Sequence, residues 1–286
     1  MKKSILGNTT LEISSVMFGG IINMNESSET AAKYVSYAIE KGVNYFDVAP
    51  AASYGDSEKM LGPALVPYRK DINLACKTFC RDAESAKRDL YSSLEVLKTD
   101  HFDVYQLHAL MGKEDVDAVF AKDGAMNVLI KAKEEGIIRH LGITSHDEDA
   151  AVYALAYYDF ETVLFPINWA LDMGKNFGGR LIDICHYKNI GLLAMKSLAH
   201  RKWFDGEGSR FPKSWCKTIY DNDELGVAAM KYALSKGISA MVPPGNFEQF
   251  EFVCNHIDEC LENPLTSGDL DFLKRELVHV ENHQIF

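Results

Sequence analysis

The stretch that decides the fold is "FDVAPAASYGDSEKMLG", residues 46–62. With the preceding residues, "VNYFDV" reads as a buried strand closed by an acid, Asp47. Seven residues later Tyr54 stands between a serine and a glycine, and helical spacing is expected from about Ser57. The unit is strand, loop, helix. Worked outward in both directions, the same unit recurs along the chain.

Upstream, "SILGNTTLEISS" reads as a hairpin turning at Gly7-Asn8. "SVMFGG" is the first core strand. A helix follows in which Val35, Ala38 and Ile39 share a face and Gly42 marks the stop. Downstream, "INLACK" precedes a helix striped by Ala86, Leu90, Leu94 and Leu97. "FDVYQLH" leads through a loop to the helix "AMNVLIKAKEEG". "HLGIT", "TVLFPIN", "GLLAMK" and "ISAMVPP" precede helices at about 147–158, 178–188, 222–235 and 247–257. "GDLDFLKRELVHVE" is one further helix. Strands alternating with helices imply a parallel sheet with helices outside it. Eight such units in about 250 residues match a (β/α)8 TIM barrel. The expectation is an α/β chain: one barrel domain over residues 1–286, with an N-terminal β-hairpin and an extra C-terminal helix. The rival, a doubly wound open sheet with a dinucleotide site, lacks its G-x-G-x-x-G, because the first loop reads "FGGIINMN".

Bulk properties narrow the function. A net charge of −11 argues against general nucleic-acid binding. No apolar run is long enough to cross a bilayer, so no membrane partner is expected. "MKKSILGNTT" carries no apolar segment of the signal-peptide kind, so a cytoplasmic protein is expected. The six cysteines form no C-x-x-C and no zinc spacing, so they read as free, mostly buried thiols and no metal is expected.

Four polar residues fall where a core strand normally ends in apolar residues or loop formers. Asp47 closes the second strand with Tyr54 beyond it, Lys77 closes the third, and His108 closes the fourth. Singly, each has an ordinary reading: a helix cap, a snorkelling lysine, a satisfied histidine, loop content. Together they share the carboxyl-terminal face of a barrel, where barrel enzymes keep their sites. The set suits proton donation to a carbonyl. A phenol with a pKa of about 10 donates poorly at neutral pH, and a nearby ammonium favours the phenolate. Tyr54 would be the acid, Lys77 its tuner and Asp47 the anchor of Lys77. His108 would orient the carbonyl oxygen.

At these residues the chain resembles the aldo-keto reductases. The family's strand ending Asp-x-Ala, then Tyr-Gly and an acid, is matched by "FDVAPAASYGDSE". Its third-strand lysine is matched by "LACKT", and its fourth-strand histidine by "TDHFDVYQLH". "IRHLGITSH" and "GLLAMKSLA" resemble the fifth and seventh strands of the bacterial and archaeal branch. The resemblance implies Asp47, Tyr54, Lys77 and His108 as the catalytic set. It implies an extended NAD(H) or NADP(H) across the barrel face, and an oxidoreductase interconverting a carbonyl (aldehyde, ketone or sugar-like) with its alcohol. The nicotinamide side would meet Gly20, Ile21, Ser145, His146 and Met195. Lys196 would reach a pyrophosphate, and Gly245 and Asn246 would offer backbone N–H groups at a helix start.

Three departures from the family pattern stand out. The Asp47–Tyr54 loop is two residues longer than the usual D-x-x-x-x-Y, so Tyr54 either keeps its place over an outward bulge or moves away from Lys77. Met195 replaces the usual stacking aromatic. "VPPGNFEQFEF" lacks any Lys or Arg to clasp a 2′-phosphate and places Glu248 there, leaving NAD and NADP both open. The long loop "HRKWFDGEGSRFPKSWCKTIYDN" carries Trp203 and Trp215 as candidate walls for a small-molecule substrate, beside Phe204 and Tyr220. The competing readings are a Schiff-base lyase or aldolase using Lys77, and a nucleotide-binding barrel with little turnover. Oligomeric state is left open.

Overall fold

The structure, a computed structural model, describes residues 1–207 and 210–286; residues 208 and 209 of the long loop lie outside it. Twelve strands are described: β1 (Lys3–Ile5), β2 (Glu12–Ser14), β3 (Phe18–Gly19), β4 (Tyr45–Asp47), β5 (Asn73–Thr78), β6 (Phe102–Leu110), β7 (Ile138–Ser145), β8 (Thr162–Pro166), β9 (Gly191–Met195), β10 (Ala199–Arg201), β11 (Lys217–Thr218) and β12 (Ala240–Met241). The α-helices are α1 (Ser28–Glu40), α2 (Ala51–Tyr54), α3 (Ser57–Leu65), α4 (Ala83–Leu97), α5 (Gly112–Phe120), α6 (Ala125–Glu134), α7 (Glu148–Tyr157), α8 (Trp169–Lys175), α9 (Gly179–Tyr187), α10 (Asp223–Ser235), α11 (Phe247–Glu262) and α12 (Ser267–Leu277).

Strands β3 to β9 and then β12 form one parallel sheet in chain order. The sheet closes on itself. Val16 bridges Met241 in parallel, and Met17 N–H donates to Met241 O at 2.9 Å. This is the expected (β/α)8 barrel, with α12 as the extra C-terminal helix. Alternation along the strands sorts the side chains. Tyr45, Ala75, Val104, Leu164, Leu193 and Ala240 pack inside the barrel with Leu6, Leu11 and Ile13 of the hairpin region. Phe18, Phe46, Cys76 and Leu107 point outward, into the core shared with the helices. The hairpin segment therefore helps fill the barrel interior.

Some local expectations needed revision. The hairpin turns at Gly7-Asn8, as expected, but within a connection longer than two residues. Residues 6–11 form a wider loop, in which Leu6 N–H donates to Leu11 O and Thr9 N–H to Leu6 O. The loop after β6 contains α5, and the loop after β8 contains α8. Helix α5 turns only Val116 and Val119 inward, too few apolar positions to register as a helical stripe. The long loop after β9 is not structureless, because β10 and β11 pair antiparallel at its base. The described cysteines are all free, with five buried and Cys80 partly exposed. No described helix is long and apolar enough to cross a membrane.

Candidate active site

Strand parity carries the polar residues to one place. Tyr45 faces the barrel interior, so Asp47, two residues on, does too. The same step takes Ala75 to Lys77 and Val104 to Gln106. Lys77 Nζ donates to Asp47 Oδ2 at 2.5 Å, and the two residues are 1% and 2% exposed. Gln106 Nε2 donates to Asp47 Oδ1 at 3.4 Å. Asp47 is thus no helix cap; its described partners are an ammonium and an amide.

The lengthened loop leaves Tyr54 over this pair. Pro50 starts the helical turn α2, where Ser53 and Tyr54 N–H groups both donate to Pro50 O. A helix advances about 1.5 Å per residue, against about 3.3 Å for extended chain. Coiling therefore shortens the reach of the longer loop and leaves Tyr54 beside Lys77. Lys77 Nζ lies 5.4 Å from the Tyr54 ring centroid.

His108 is aimed by an irregularity. The β6–β7 register shifts between Leu107 and Leu110, and Ala109 takes φ +49°. Such bulges often re-aim side chains beside functional sites. Ala109 N–H donates to Thr144 Oγ1, and the Arg81 guanidinium donates to His108 O and Ala109 O, each at 3.0 Å. The His108 ring meets Tyr54 and Phe79 edge-on, with centroids 6.1 and 5.8 Å away.

Tyr54, Lys77, Asp47 and His108 all line one cavity of about 410 Å³. Ile21, His146, Met195, Lys196, Gly245 and Trp215 line it as well. Gly20, Ser145, Asn246 and Trp203 do not. Gly20 sits against strand β4, where a Cβ would meet Val48 at 2.7 Å. The Ser145 hydroxyl is held by backbone: it lies 2.7 and 2.8 Å from Leu110 O and Asp147 O and accepts from Asp147 N–H. Asn246 bonds Ser214 Oγ and Gln249 Oε1. The Trp203 indole N–H donates to Ser214 O, within the long loop. Trp215 stands at the rim, 66% exposed, with its ring 6.5 Å from that of Tyr54. Phe204 packs on Arg201 and His283, and Tyr220 on Phe211.

A model of the aldo/keto reductase family matches residues 15–259. The chain belongs to that family. It is 29% identical to L-galactose dehydrogenase of Arabidopsis thaliana over 249 residues, 81% of this chain and 75% of that one. It is 33% identical to an uncharacterised oxidoreductase of Bacillus subtilis over 157 residues, 51% of this chain and 49% of that protein's length. In structure it is similar to the holo form of an aldo-keto reductase from Bacillus halodurans, with TM-score 0.72 at 21% identity, covering 96% of each chain. A putative aldo-keto reductase from Pseudomonas aeruginosa gives the same TM-score, covering 91% of this chain and 95% of the other. This chain is therefore an aldo-keto reductase-type oxidoreductase. The family uses NAD(P)H and acts on small-molecule carbonyl compounds.

The electrostatics of this aldo-keto reductase site follow from burial. Burial pulls the Lys77 ammonium down, but the Asp47 carboxylate and then Tyr54 outweigh it, and its pKa lies above the ordinary lysine value. Burial lifts the Asp47 carboxyl above its ordinary value, opposed by Lys77 and then Gln106, so the ammonium beside it is what favours its charged form. For Tyr54 the outcome differs from the expected lowering. Burial raises the phenol, and the opposing pull of Lys77 does not overcome it. Tyr54 is accordingly a protonated phenol at neutral pH. Burial, then Lys77, His146 and Arg81, push His108 down to about 3. Burial, then Lys196 and Lys77, push His146 down to about 4. Both imidazoles are neutral at pH 7.

These histidine shifts set an acid sensitivity. Between the ordinary value of 6.5 and about 3–4, the unfolded chain takes up protons that the folded chain refuses. Stability then falls as pH falls through that window. The urea midpoint is expected to drop between pH 7 and pH 4.5, and His146→Gln should flatten the drop. An unchanged pH slope in the variant would show that His146 does not carry it.

Several site residues escaped the sequence reading. Lys213 Nζ, from the long loop, donates to Ile22 O and Glu26 Oε1, both at 2.6 Å, and bridges to the segment after β3. Arg210 reaches helix α11 and pairs with Glu248 at 2.7 Å. Nothing in "VPPGNFEQFEF" signals a guanidinium from 38 residues away. Gln106 was legible in principle, because it shares strand parity with His108.

Proposed function

We propose that this chain interconverts an aldehyde, ketone or sugar-like carbonyl with its alcohol at the Tyr54 cavity, using NAD(H) or NADP(H). The observation that carries the reading is the buried Lys77–Asp47 pair beneath Tyr54, with His108 in the same cavity. The residues present fit a dinucleotide. Lys196 Nζ faces the Trp215 and Phe286 rings, each centroid at 5.8 Å, and meets no carboxylate among the described residues. That leaves a cation for a pyrophosphate. Helix α11 starts without a side-chain cap, so its first amides are open to phosphate. Gly245 is needed where these loops meet: a Cβ there would lie 2.7 Å from Ile21 Cγ2 and 3.0 Å from Lys213 O. Ile21, His146 and Met195 would flank the nicotinamide end. Ser145 would join them only by releasing a backbone partner.

A reduced nicotinamide held beside Ile21, His146 and Met195 would supply hydride to the carbonyl carbon. Tyr54 Oη gives its proton to the carbonyl oxygen. The tyrosinate left behind is stabilised by the Lys77 ammonium, which Asp47 keeps charged. His108, being neutral, donates a hydrogen bond to the same oxygen. Phe79, Trp215 and Met195 offer apolar surface to the substrate. The name of the plant relative supports a sugar-like member of the class. The Schiff-base reading needs a neutral Lys77, which its pairing with Asp47 opposes. The first test is a screen of NADH and NADPH against aldehydes, ketones and aldoses, followed at the nicotinamide absorbance. Absence of both binding and turnover with either cofactor would overturn the proposal.

Cofactor preference follows from Glu248. Its carboxylate opposes a 2′-phosphate and also occupies Arg210. Glu248→Ala removes the repulsion and frees the guanidinium, so NADPH affinity should rise about tenfold relative to NADH, about 1.4 kcal/mol. Fluorescence titration with both cofactors measures the ratio, and an unchanged ratio excludes this role for Glu248.

A further inference from the structure

We infer that Ser53, a residue of the lengthened Asp47–Tyr54 loop, is a positioning residue that holds His108 in the Nε2–H tautomer and so presents a hydrogen-bond donor to the cavity. The inference rests on the proposed reduction for its catalytic meaning, but not for its structural content.

The argument is one of partners. Ser53 Oγ lies 3.3 Å from His108 Nδ1. The Ser53 backbone N–H is already satisfied by Pro50 O at 2.8 Å, so the hydroxyl is not needed to build the turn. Among the described residues His108 Nδ1 is the hydroxyl's only hydrogen-bond partner. Among the described residues His108 Nε2 meets no protein partner, and His108 lines the cavity. A neutral imidazole carries one N–H and one lone pair, so the two nitrogens must take opposite roles. At neutral pH His108 is in that form.

Two arrangements are possible. If Nδ1–H donates to Ser53, the serine proton has no protein acceptor among the described residues and a lone pair faces the cavity, where it would repel a carbonyl oxygen. If Ser53 donates to Nδ1, both groups are satisfied and Nε2–H faces the cavity. An unmatched polar hydrogen in a half-buried site is the costlier outcome. The edge-on Tyr54 and Phe79 rings flank the imidazole, and the Arg81 bonds hold its backbone. Position is thus set by the bulge and tautomer by Ser53. The extended loop provides the hydroxyl because coiling into α2 puts Ser53 beside His108 and Tyr54 over Lys77 on consecutive residues.

The test is the ¹⁵N spectrum of histidine-labelled protein near pH 7, with His108 assigned by its loss in His108→Asn. Wild type should show an unprotonated Nδ1 and a protonated Nε2. In Ser53→Ala, which suits a helical turn, both resonances should move toward each other as the tautomers exchange. Ser53→Thr should restore the wild-type pattern. The kcat for carbonyl reduction should fall about three- to tenfold in Ser53→Ala, the worth of one neutral hydrogen bond, and recover in Ser53→Thr. A protonated Nδ1 in wild type, or a spectrum that Ser53→Ala leaves unchanged, overturns the tautomer assignment. A full kcat in Ser53→Ala overturns its catalytic meaning. Failure of the reductase reading itself would show separately, as absence of binding and turnover with both NADH and NADPH in the wild-type protein, and would leave the ¹⁵N result standing.

Discussion

Tyr54→Phe is expected to lower kcat for carbonyl reduction by about 10²- to 10⁴-fold, the usual worth of a positioned general acid. The change removes one oxygen and leaves the ring, which packs near Trp215 and His108. Cofactor affinity, read by quenching of protein fluorescence, should therefore stay close to wild type. An interaction made only in the transition state lowers kcat and kcat/KM together. That pattern is expected here, because the ground-state carbonyl needs no proton. The pH profile adds a second signature. Burial lifts the Tyr54 phenol, and Asp47 keeps the Lys77 ammonium charged above its ordinary range. Reduction should then run with no loss from these groups through neutral pH and decline only on the far alkaline side. A Tyr54→Phe protein with wild-type kcat would remove Tyr54 from the chemistry, and Lys77 would then have to be examined as the acid.

The barrel and the convergence of the four candidate polar residues on one cavity were legible because both follow short-range periodicities. A two-residue step along a strand carries Tyr45 to Asp47, and a helix-sized gap separates each strand from the next. Placement of Tyr54 was not legible. Whether seven residues of chain bulge or coil depends on Pro50 capping one turn, and four residues are too few to show a period. The sign of the Tyr54 shift was missed for a related reason: a neighbouring charge is visible in sequence, while the desolvation that outweighs it is a property of packing. Lys213 and Arg210 were invisible because the long loop has no repeat, and its partners lie at Ile22, Glu26 and Glu248. Ser145 shows the converse. Its place at the end of β7 follows from sequence, yet its hydroxyl is taken up by the backbone at the end of β6 and just before α7.

The Lys77–Asp47 pair allows stability and chemistry to be separated. Lys77→Met leaves the Asp47 carboxylate buried with only Gln106 beside it, and should cost about 3–5 kcal/mol in urea unfolding. Asp47→Asn leaves the ammonium without its counter-charge and should also destabilise, though the amide can still accept from Lys77. The double variant holds no uncompensated charge. It should therefore regain a large part of the loss, giving a coupling energy well above the few tenths of a kcal/mol that separate independent sites. Activity should not follow. Each variant lacking Lys77 loses the ammonium that stabilises the Tyr54 oxyanion, so kcat stays low in the double variant even as its unfolding midpoint recovers. A purely structural ion pair would behave otherwise, with kcat returning as the fold is restored. A double variant that regains both properties would confine Lys77 and Asp47 to holding the barrel together. One that regains stability alone identifies Lys77 as the group that tunes the acid.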